Sequence, residues 1–317
     1  MQQFRNVLVG VDLSHADRIC TTELSAPAQY AVERAIWLGR LVKAQVTFFA
    51  ALDVSPQTED LLAEDFEHVS RDIRDAAEEV LAELVSRAKQ DGVAAQSAFT
   101  FGKPWREIIR RVISNQHDLV VVSTRDLGAA SRLLFGSTAM KLLRKCPCPV
   151  WVTKPAPEPD VANILVPSDL TDVAAHALDV AVSAGQLMNA RLHVLHAAEF
   201  EFEHRVWLTG VPQERLESYR KETRSQSERE LQEQLAATDY RTLTHGVQIQ
   251  VVDGPADQVI LQTIEEQHID LLVMGTAART GFPGLLIGNT AERLLPELSC
   301  SILAVKPADF VCPVSVD

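Results

Sequence analysis

The feature that most constrains the fold of this chain is an internal repeat. Residues 118–156 align with residues 270–308 without a gap, at a constant shift of 152 positions, and 15 of the 39 aligned residues are identical. Near the start of each half, Asn6–Val9 matches Asn163–Val166. A unit of about 150 residues can fold by itself, so the repeat indicates a duplicated domain and not a solenoid of short repeats.

The length of the chain, 317 residues, also suits two domains. We predict a first domain over residues 1–155, a second over residues 160–308 and a C-terminal tail over residues 309–317. The stretch from Lys154 to Pro159 contains three prolines, which interrupt both helices and β-ladders. Because this linker is short, we expect the two domains to stay in contact.

Short β-branched runs alternate with helical patterns in each half. The runs 119–122 and 271–274 are apolar at every position, which is typical of strands covered by helices on both faces of a sheet. Strands are predicted near 5–11, 45–52, 94–101, 118–123, 149–153, 163–167, 191–197, 247–253, 270–275 and 301–305. Helices are predicted near 27–43, 62–90, 104–116, 137–145, 173–188, 213–237, 255–268 and 289–297. This order predicts an α/β fold with two doubly wound, five-stranded parallel sheets.

Charge and hydropathy argue against several classes of partner. The formal net charge is −13, a field that repels a nucleic-acid backbone. No uninterrupted apolar run reaches the roughly 18 residues that a membrane span needs, and the N-terminus leads into a strand-like run and not into a signal peptide. We therefore expect a cytoplasmic protein that binds neither nucleic acid nor membrane.

The sequence predicts no catalytic or metal-binding constellation. Cys146 and Cys148 are the one close pair among five cysteines, and no second pair completes a zinc site. His193 and His196 lie three apart on a predicted strand, which turns them to opposite faces. The phosphate-binding lysine motif of P-loop proteins and the nucleophile elbow are both absent from the sequence. A binding protein is therefore favoured over an enzyme.

Two features of each half meet where an open parallel sheet binds ligands, beyond the carboxyl ends of its strands. Asp12 and Asp169 follow the first strands and can accept hydrogen bonds from an amine or a hydroxyl; a turn or a helix cap is the alternative. In the second half, the loop from Gly275 to Gly288 leads into a helix, whose free amides and dipole suit phosphate. A plain glycine-containing loop capped by Asn289 is the alternative there.

These motifs resemble the universal stress protein family. Its nucleotide-binding members carry Gly, two residues, Gly, nine residues, then Gly-Ser or Gly-Thr, a pattern that falls here on Gly275, Ala278, Gly288 and Asn289. The segments 288–292 and 143–147 are particularly similar to the subgroup with two domains in tandem, and the resemblance extends over residues 4–308. It implies a Rossmann-like fold, similar to that of the adenine nucleotide α-hydrolases, in both halves. It also implies that the two domains pair along their last strands as a pseudo-dimer.

The resemblance implies that the second domain binds ATP or another adenine nucleotide, with Mg²⁺ as an optional companion of the phosphates. The implied binding residues are Pro167, Asp169, Ala197, Met274, Gly275, Ala278, Gly288, Asn289 and Thr290. Two of them depart from the family pattern. Ala278 adds a methyl group where the backbone approaches phosphate, and Asn289 replaces a hydroxyl, although its amide can still donate a hydrogen bond.

The first half departs further from this pattern. Its corresponding residues are Ser123, Asp126, Gly136 and Ser137. A carboxylate at Asp126 would repel a triphosphate, since two like charges about 4 Å apart cost about 1 to 4 kcal/mol; Arg125 and Arg132 are available to offset it. The weaker candidates of this half are Asp12, Gly136 and Ser137. The insertion at residues 14–25, which the second half lacks, is expected at the same edge, as a lid, a partner contact or a plain surface loop.

The leading hypothesis is a non-enzymatic regulator of the stress response that binds ATP, ADP or AMP in its second domain. A rival ligand is an apolar or acyl-bearing molecule, because Phe282, Leu285 and Ile287 make the loop after the fourth strand apolar; a protein-interaction scaffold is a further alternative. Weak Mg²⁺-dependent hydrolysis of ATP is the enzymatic alternative. The sequence leaves homodimer formation open.

Overall fold

The computed structural model describes residues 4–14, 23–53, 66–125, 135–157, 159–199, 212–276 and 288–316. These residues form two compact units that divide between Pro155 and Ala156. The first unit also includes the C-terminal segment that begins at Asp309, and the second unit ends at Ala308.

The first unit contains a parallel sheet with the strand order β3-β2-β1-β4-β5. Its strands are β1 (Asn6–Gly10), β2 (Gln45–Leu52), β3 (Ala95–Phe101), β4 (Leu119–Ser123) and β5 (Val150–Thr153). Its helices are α1 (Ala26–Val42), α2 (Phe66–Gln90), α3 (Pro104–Asn115) and α4 (Ser137–Lys145). The strand order reverses between β1 and β4, as in a doubly wound sheet.

The second unit repeats this topology, with the strand order β10-β9-β6-β7-β8 and parallel pairing. Its strands are β6 (Ala162–Pro167), β7 (Ala190–Ala198), β8 (Val247–Asp253), β9 (Leu271–Gly275) and β10 (Ser301–Val305). Its helices are α5 (Asp172–Met188), α6 (Gln213–Ala236), α7 (Ala256–Glu266) and α8 (Asn289–Leu294), with a short 3-10 turn at Tyr240–Thr242. The predicted fold class, two doubly wound five-stranded α/β sheets in tandem, is confirmed.

The core lies along both faces of the central strands. Val7, Leu8 and Val9 are consecutive in β1 and all are fully buried, and because neighbouring side chains of a strand point to opposite faces, both faces of β1 are covered. Ile164 and Leu165 of β6 are buried in the same way. Burial of each such side chain contributes about 1.5 to 3 kcal/mol to the free energy of folding.

The first helices of the two units, α1 and α5, begin in the same way. Ser25 caps α1 by accepting a hydrogen bond from the amide of Ala28, and Thr171 caps α5 through the amide of Ala174.

None of the helices in the described part of the chain is both long enough and apolar enough to cross a membrane.

Candidate nucleotide site

The switch point of the second sheet lies between β6 and β9. The chain runs outward from β6 through β7 to β8 and then returns to β9 on the other side of β6. A ligand of such a sheet binds between the loops that follow these two strands. The last residue of β6 is Pro167 and the last residue of β9 is Gly275, so two of the residues implied by the resemblance flank this point.

The two sheets differ in how far their central strands stay paired. In the first unit the register of β1 and β4 continues to Gly10, which lies opposite Val122. In the second unit, among the described residues, the register of β6 and β9 ends where Leu165 lies opposite Leu272. Val166 and Pro167 of β6 extend beyond this last pair, and a proline cannot donate a backbone hydrogen bond. The carboxyl ends of β6 and β9 are therefore less constrained by pairing.

Side chains also pack closely around Gly10, the last residue of β1. A Cβ atom on Gly10 would lie 2.8 Å from Cγ1 of Val122 and 3.0 Å from Cδ1 of Ile108, distances too short for van der Waals contact. Apolar atoms thus occupy the space beside the end of β1. Pro167 stands at the corresponding position of the second unit.

Asp169 and Asp12 adopt the same local geometry. Asp169 Oδ1 accepts hydrogen bonds from the amide of Thr171 at 3.2 Å and from its hydroxyl at 2.5 Å. Asp12 Oδ1 accepts bonds from the amide of Ser14 at 2.9 Å and from its hydroxyl at 2.6 Å. Both aspartates are exposed. Each one therefore stabilises a turn while standing at the carboxyl edge, so the two roles weighed from the sequence are compatible.

The end of β7 joins the loop that follows β6. Ala197 is half-buried one residue before the end of this strand, and the preceding His196 donates a hydrogen bond from Nδ1 to the carbonyl of Ser168 at 2.8 Å. His193 lies elsewhere, with Nε2 3.2 Å from Oδ1 of Asn163, and burial lowers its pKa. The two histidines do not converge.

Gly275 has a packing role that the sequence did not reveal. A Cβ atom at this position would lie 2.6 Å from Cγ1 of Val173, in the first turn of α5. The helix therefore packs directly on the end of β9, and glycine is required there. The preceding Met274 is buried. In the first unit the corresponding residue is Ser123, so the constraint belongs to the second unit.

A buried lysine lies next to the start of this loop. Nζ of Lys306, a residue only 6% exposed, donates hydrogen bonds to Oγ1 of Thr276 at 2.9 Å and to its carbonyl at 3.3 Å. The corresponding Thr124 is buried, and its hydroxyl has no hydrogen-bond partner within the described part of the first unit. Lys306 and Lys154 occupy equivalent positions of the repeat, but no pattern in the sequence indicated this contact.

The beginning of α8 differs from that of α4. Gly288 precedes α8 with φ of 91°, a left-handed conformation that favours glycine. Gly136 precedes α4 with φ of −66°, which any residue adopts. Of the following residues, Asn289 is exposed and Thr290 is half-buried, and Ser137 is exposed at the start of α4.

Several predicted features lie outside the described residues. These are Ala278, Asp126, Arg132, most of the insertion (residues 15–22) and the apolar loop that contains Phe282, Leu285 and Ile287. Within the described ranges, no group of three or more histidine, cysteine, aspartate or glutamate side chains is arranged to hold a metal ion.

Parallel strands end at the same side of a sheet. One edge of the second sheet therefore carries five of the implied binding residues, namely Pro167, Asp169, Ala197, Met274 and Gly275. Four further residues form hydrogen bonds in the loops at this edge. Ser168, His196 and Gln234 of α6 do so in the loop after β6, and Lys306 does so at the start of the loop after β9. Sequence reasoning missed these four, because their partners are distant along the chain.

Comparison with known proteins identifies the same domain twice. The profile of the universal stress protein family, Usp, matches residues 3–154 and 161–306. Universal stress protein E of Photorhabdus laumondii is 26% identical over 99% of this chain and 98% of its own length. Universal stress protein E of Escherichia coli K12 is 26% identical over 100% of this chain and 98% of its own length.

Solved structures agree on the fold. A universal stress protein from Archaeoglobus fulgidus DSM 4304 superposes with a TM-score of 0.65 at 18% identity, covering 96% of this chain and 99% of that one. The two profile matches span most of the chain, one in each compact unit. The chain therefore belongs to the universal stress protein family and carries the family's domain twice in tandem.

Proposed function

We propose that this protein is a non-enzymatic regulator of the stress response that binds one adenine nucleotide, ATP, ADP or AMP, in its second domain. The observation that carries the proposal is the early end of the backbone pairing between β6 and β9 at the switch point. Their register ends at Leu165 and Leu272, whereas β1 and β4 remain paired as far as Gly10 and Val122. Only the second sheet combines this early end of pairing with glycines at two of the family's positions, Gly275 and Gly288.

The residues at this edge have the chemistry of a nucleotide site. Pro167 and Ala197 offer half-buried apolar surface for a base, and Asp169 offers a carboxylate for the hydroxyls of a ribose. Amides at the start of α8 lack acceptors within the helix, a general property of helix N-termini that suits phosphate oxygens. Mg²⁺ would accompany a bound triphosphate, because in nucleotide sites it is held by the phosphates together with one or two carboxylates and several waters.

The first domain serves as a structural twin in this proposal. The side chains of Val122 and Ile108 crowd Gly10, and Arg125 lies over Gly136, with its Cβ 3.5 Å from the place of an added Cβ. One nucleotide per chain is therefore expected, and the regulatory output would depend on whether that one site is occupied.

Isothermal titration of the full chain with ATP, ADP, AMP and cyclic AMP tests the proposal. We expect a stoichiometry of one, loss of binding in Gly288→Asp and retention in the matched variant Gly136→Asp. Circular dichroism checks that both variants are folded. No heat with any of the four nucleotides would overturn the proposal, and so would equal binding by the two variants.

Two further measurements separate the alternatives. Release of phosphate from ATP and Mg²⁺ at a rate that Asp169→Asn abolishes would make the protein an ATPase. Native mass spectrometry of freshly purified protein would reveal an acyl-bearing ligand by its mass, and such a ligand in place of a nucleotide would contradict the proposal.

A further inference from the structure

Gln234, in the last turn of α6, is joined to the loop after β6 by a closed ring of three hydrogen bonds. The amide of Leu170 donates to Oγ of Ser168 at 3.1 Å, and this hydroxyl donates to Oε1 of Gln234 at 3.3 Å. Nε2 of Gln234 then donates to the carbonyl of Leu170 at 3.1 Å. Each polar atom in the ring has the partner that its chemistry requires.

The ring holds Leu170 in an unusual backbone conformation. Its φ is 65°, in the left-handed region that a leucine rarely adopts unless its surroundings impose it. Both backbone polar atoms of Leu170 lie in the ring, and Ser168 is buried. The neighbouring Asp169 therefore has its backbone direction set on one side by Ser168 and on the other by Leu170.

Ser168 is also held from the sheet. Its amide donates to the carbonyl of Leu195 at 2.8 Å, and its carbonyl accepts the hydrogen bond from Nδ1 of His196 at 2.8 Å. The loop is thus anchored to β7 through the main-chain atoms of Ser168, and Gln234 provides the connection to α6.

The first unit does not contain the same arrangement. Val11 stands in the place of Ser168 and has no hydroxyl. Leu13, in the place of Leu170, is buried and is not among the described residues with positive φ. The ring is therefore specific to the unit that carries the proposed nucleotide site.

We propose that Gln234 is a positioning residue, which fixes the loop around Asp169 for ligand binding and couples occupancy of the site to the C-terminal part of α6. This inference rests on the proposed function. Helix α6 is well suited to the role, because its buried side chains are Ser227, Leu231 and Leu235 and most of its other side chains are exposed. A ligand that holds Leu170 in place strengthens the ring and stabilises the last turn of an otherwise exposed helix.

Hydrogen–deuterium exchange of the full chain without nucleotide tests the positioning role directly. The variant Gln234→Leu removes both side-chain bonds, and Gln232→Leu, at an exposed position two residues earlier, is the matched control. We expect peptides that contain the amides of Leu170 and Thr171 to exchange about fivefold faster in Gln234→Leu and at the wild-type rate in Gln232→Leu. Equal exchange in the two variants would overturn the inference.

Titration with ATP then tests the coupling. We expect Gln234→Leu to bind about fivefold to tenfold more weakly than Gln232→Leu, at an unchanged stoichiometry and with a similar melting temperature. Binding of ATP should slow exchange in residues 228–236 of the wild type and not in Gln234→Leu. Equal affinities, or equal protection of this segment, would overturn the coupling while leaving the proposed function in place.

If the wild type binds no nucleotide, the proposed function fails, and exchange without nucleotide still decides whether Gln234 positions the loop.

Discussion

Oδ2 of Asp270 accepts a hydrogen bond from the backbone amide of Asn163 at 2.8 Å, and the amide of Asp270 donates to the carbonyl of Asn163 at 2.9 Å. Asp118 repeats both contacts with Asn6, at 3.0 Å and 2.9 Å. In each unit an aspartate just before the fourth strand thus clamps the start of the first strand. The identity of these residues in the repeat has a structural cause.

The clamp in the first unit is expected to contribute more to stability. Oδ2 of Asp118 also accepts a hydrogen bond from the amide of Arg5 at 2.7 Å, so each of its oxygens serves one backbone amide. An asparagine offers one carbonyl oxygen and turns an NH₂ group toward the other donor. We expect Asp118→Asn to lower the free energy of unfolding by about 1 to 3 kcal/mol, and Asp270→Asn to lower it less. Urea unfolding measures both, with the exposed Asp91→Asn as the control; a larger loss for Asp270→Asn would contradict this ranking.

The stability that Asp270 contributes should also depend on pH. Burial raises the pKa of Asp270 above its ordinary value of 3.8, because the charged carboxylate is less well solvated in the fold. The folded state therefore favours the protonated form, and this contribution to stability is present at low pH and is lost as the pH rises through the raised pKa. Relative to Asp270→Asn, wild-type protein should gain stability when the pH falls from about 7 to about 4. Urea unfolding at both pH values measures this effect. The prediction is wrong if the difference in unfolding free energy between wild type and Asp270→Asn is the same at the two pH values.

The steric role of Gly275 can be separated from any role in binding. Because an added Cβ would lie 2.6 Å from Cγ1 of Val173, Gly275→Ala should destabilise the protein by about 1 to 3 kcal/mol. Truncating the neighbour in Val173→Ala should restore most of that loss, which a double-mutant cycle detects. Ser123→Ala, at the corresponding position of the first unit, is the control and should change little. Additive effects of the two substitutions would show that the contact with Val173 is not the cause.

The two glycines that precede α4 and α8 should respond differently to alanine. At φ of 91°, Gly288→Ala places a Cβ in a disfavoured conformation and should cost about 1 to 2 kcal/mol. At φ of −66°, Gly136→Ala has no such penalty and should stay within about 0.5 kcal/mol of wild type. Thermal and urea unfolding compare the pair. Equal losses would mean that the left-handed geometry of Gly288 is not what makes glycine necessary there.

The fold was predictable because its signals are local. Apolar runs such as 119–122 and 271–274 mark strands covered on both faces, and helix α4 occupies the predicted residues 137–145. Because the repeat relates the two halves, it predicted the same topology for both. These patterns depend on residues within about two turns of each other, which is the distance over which periodicity can be read.

The candidate site was predictable only in outline. The sequence placed Asp169, Gly275 and Gly288 at the ligand edge, but the strained φ of Leu170 and its contact with Gln234 involve residues 64 positions apart. The early end of the ladder between β6 and β9 depends on how two strands more than 100 residues apart align. No local pattern encodes such contacts, because each one is set by packing after the elements have formed.

Three cysteines in the described part of the first unit, Cys146, Cys148 and Cys312, should resist alkylation in the native protein. Sγ of Cys312, a half-buried residue, donates a hydrogen bond to the carbonyl of Lys145 at 3.3 Å, and burial raises the pKa of this thiol. Cys146 and Cys148 are buried with their sulfur atoms 3.6 Å apart. The pKa of Cys148 is raised mainly by its hydrogen bond with Cys146 and, to a smaller extent, by burial. Because the thiolate is the reactive form, iodoacetamide should modify Cys312 slowly at neutral pH and faster as the pH rises, and Cys148 later still. Burial should keep the reagent from Cys146. Site-resolved mass spectrometry follows each residue, with the urea-unfolded chain as the reference for unprotected thiols. Native labelling of Cys312 at the unfolded rate would show that the C-terminal segment does not shield it as described.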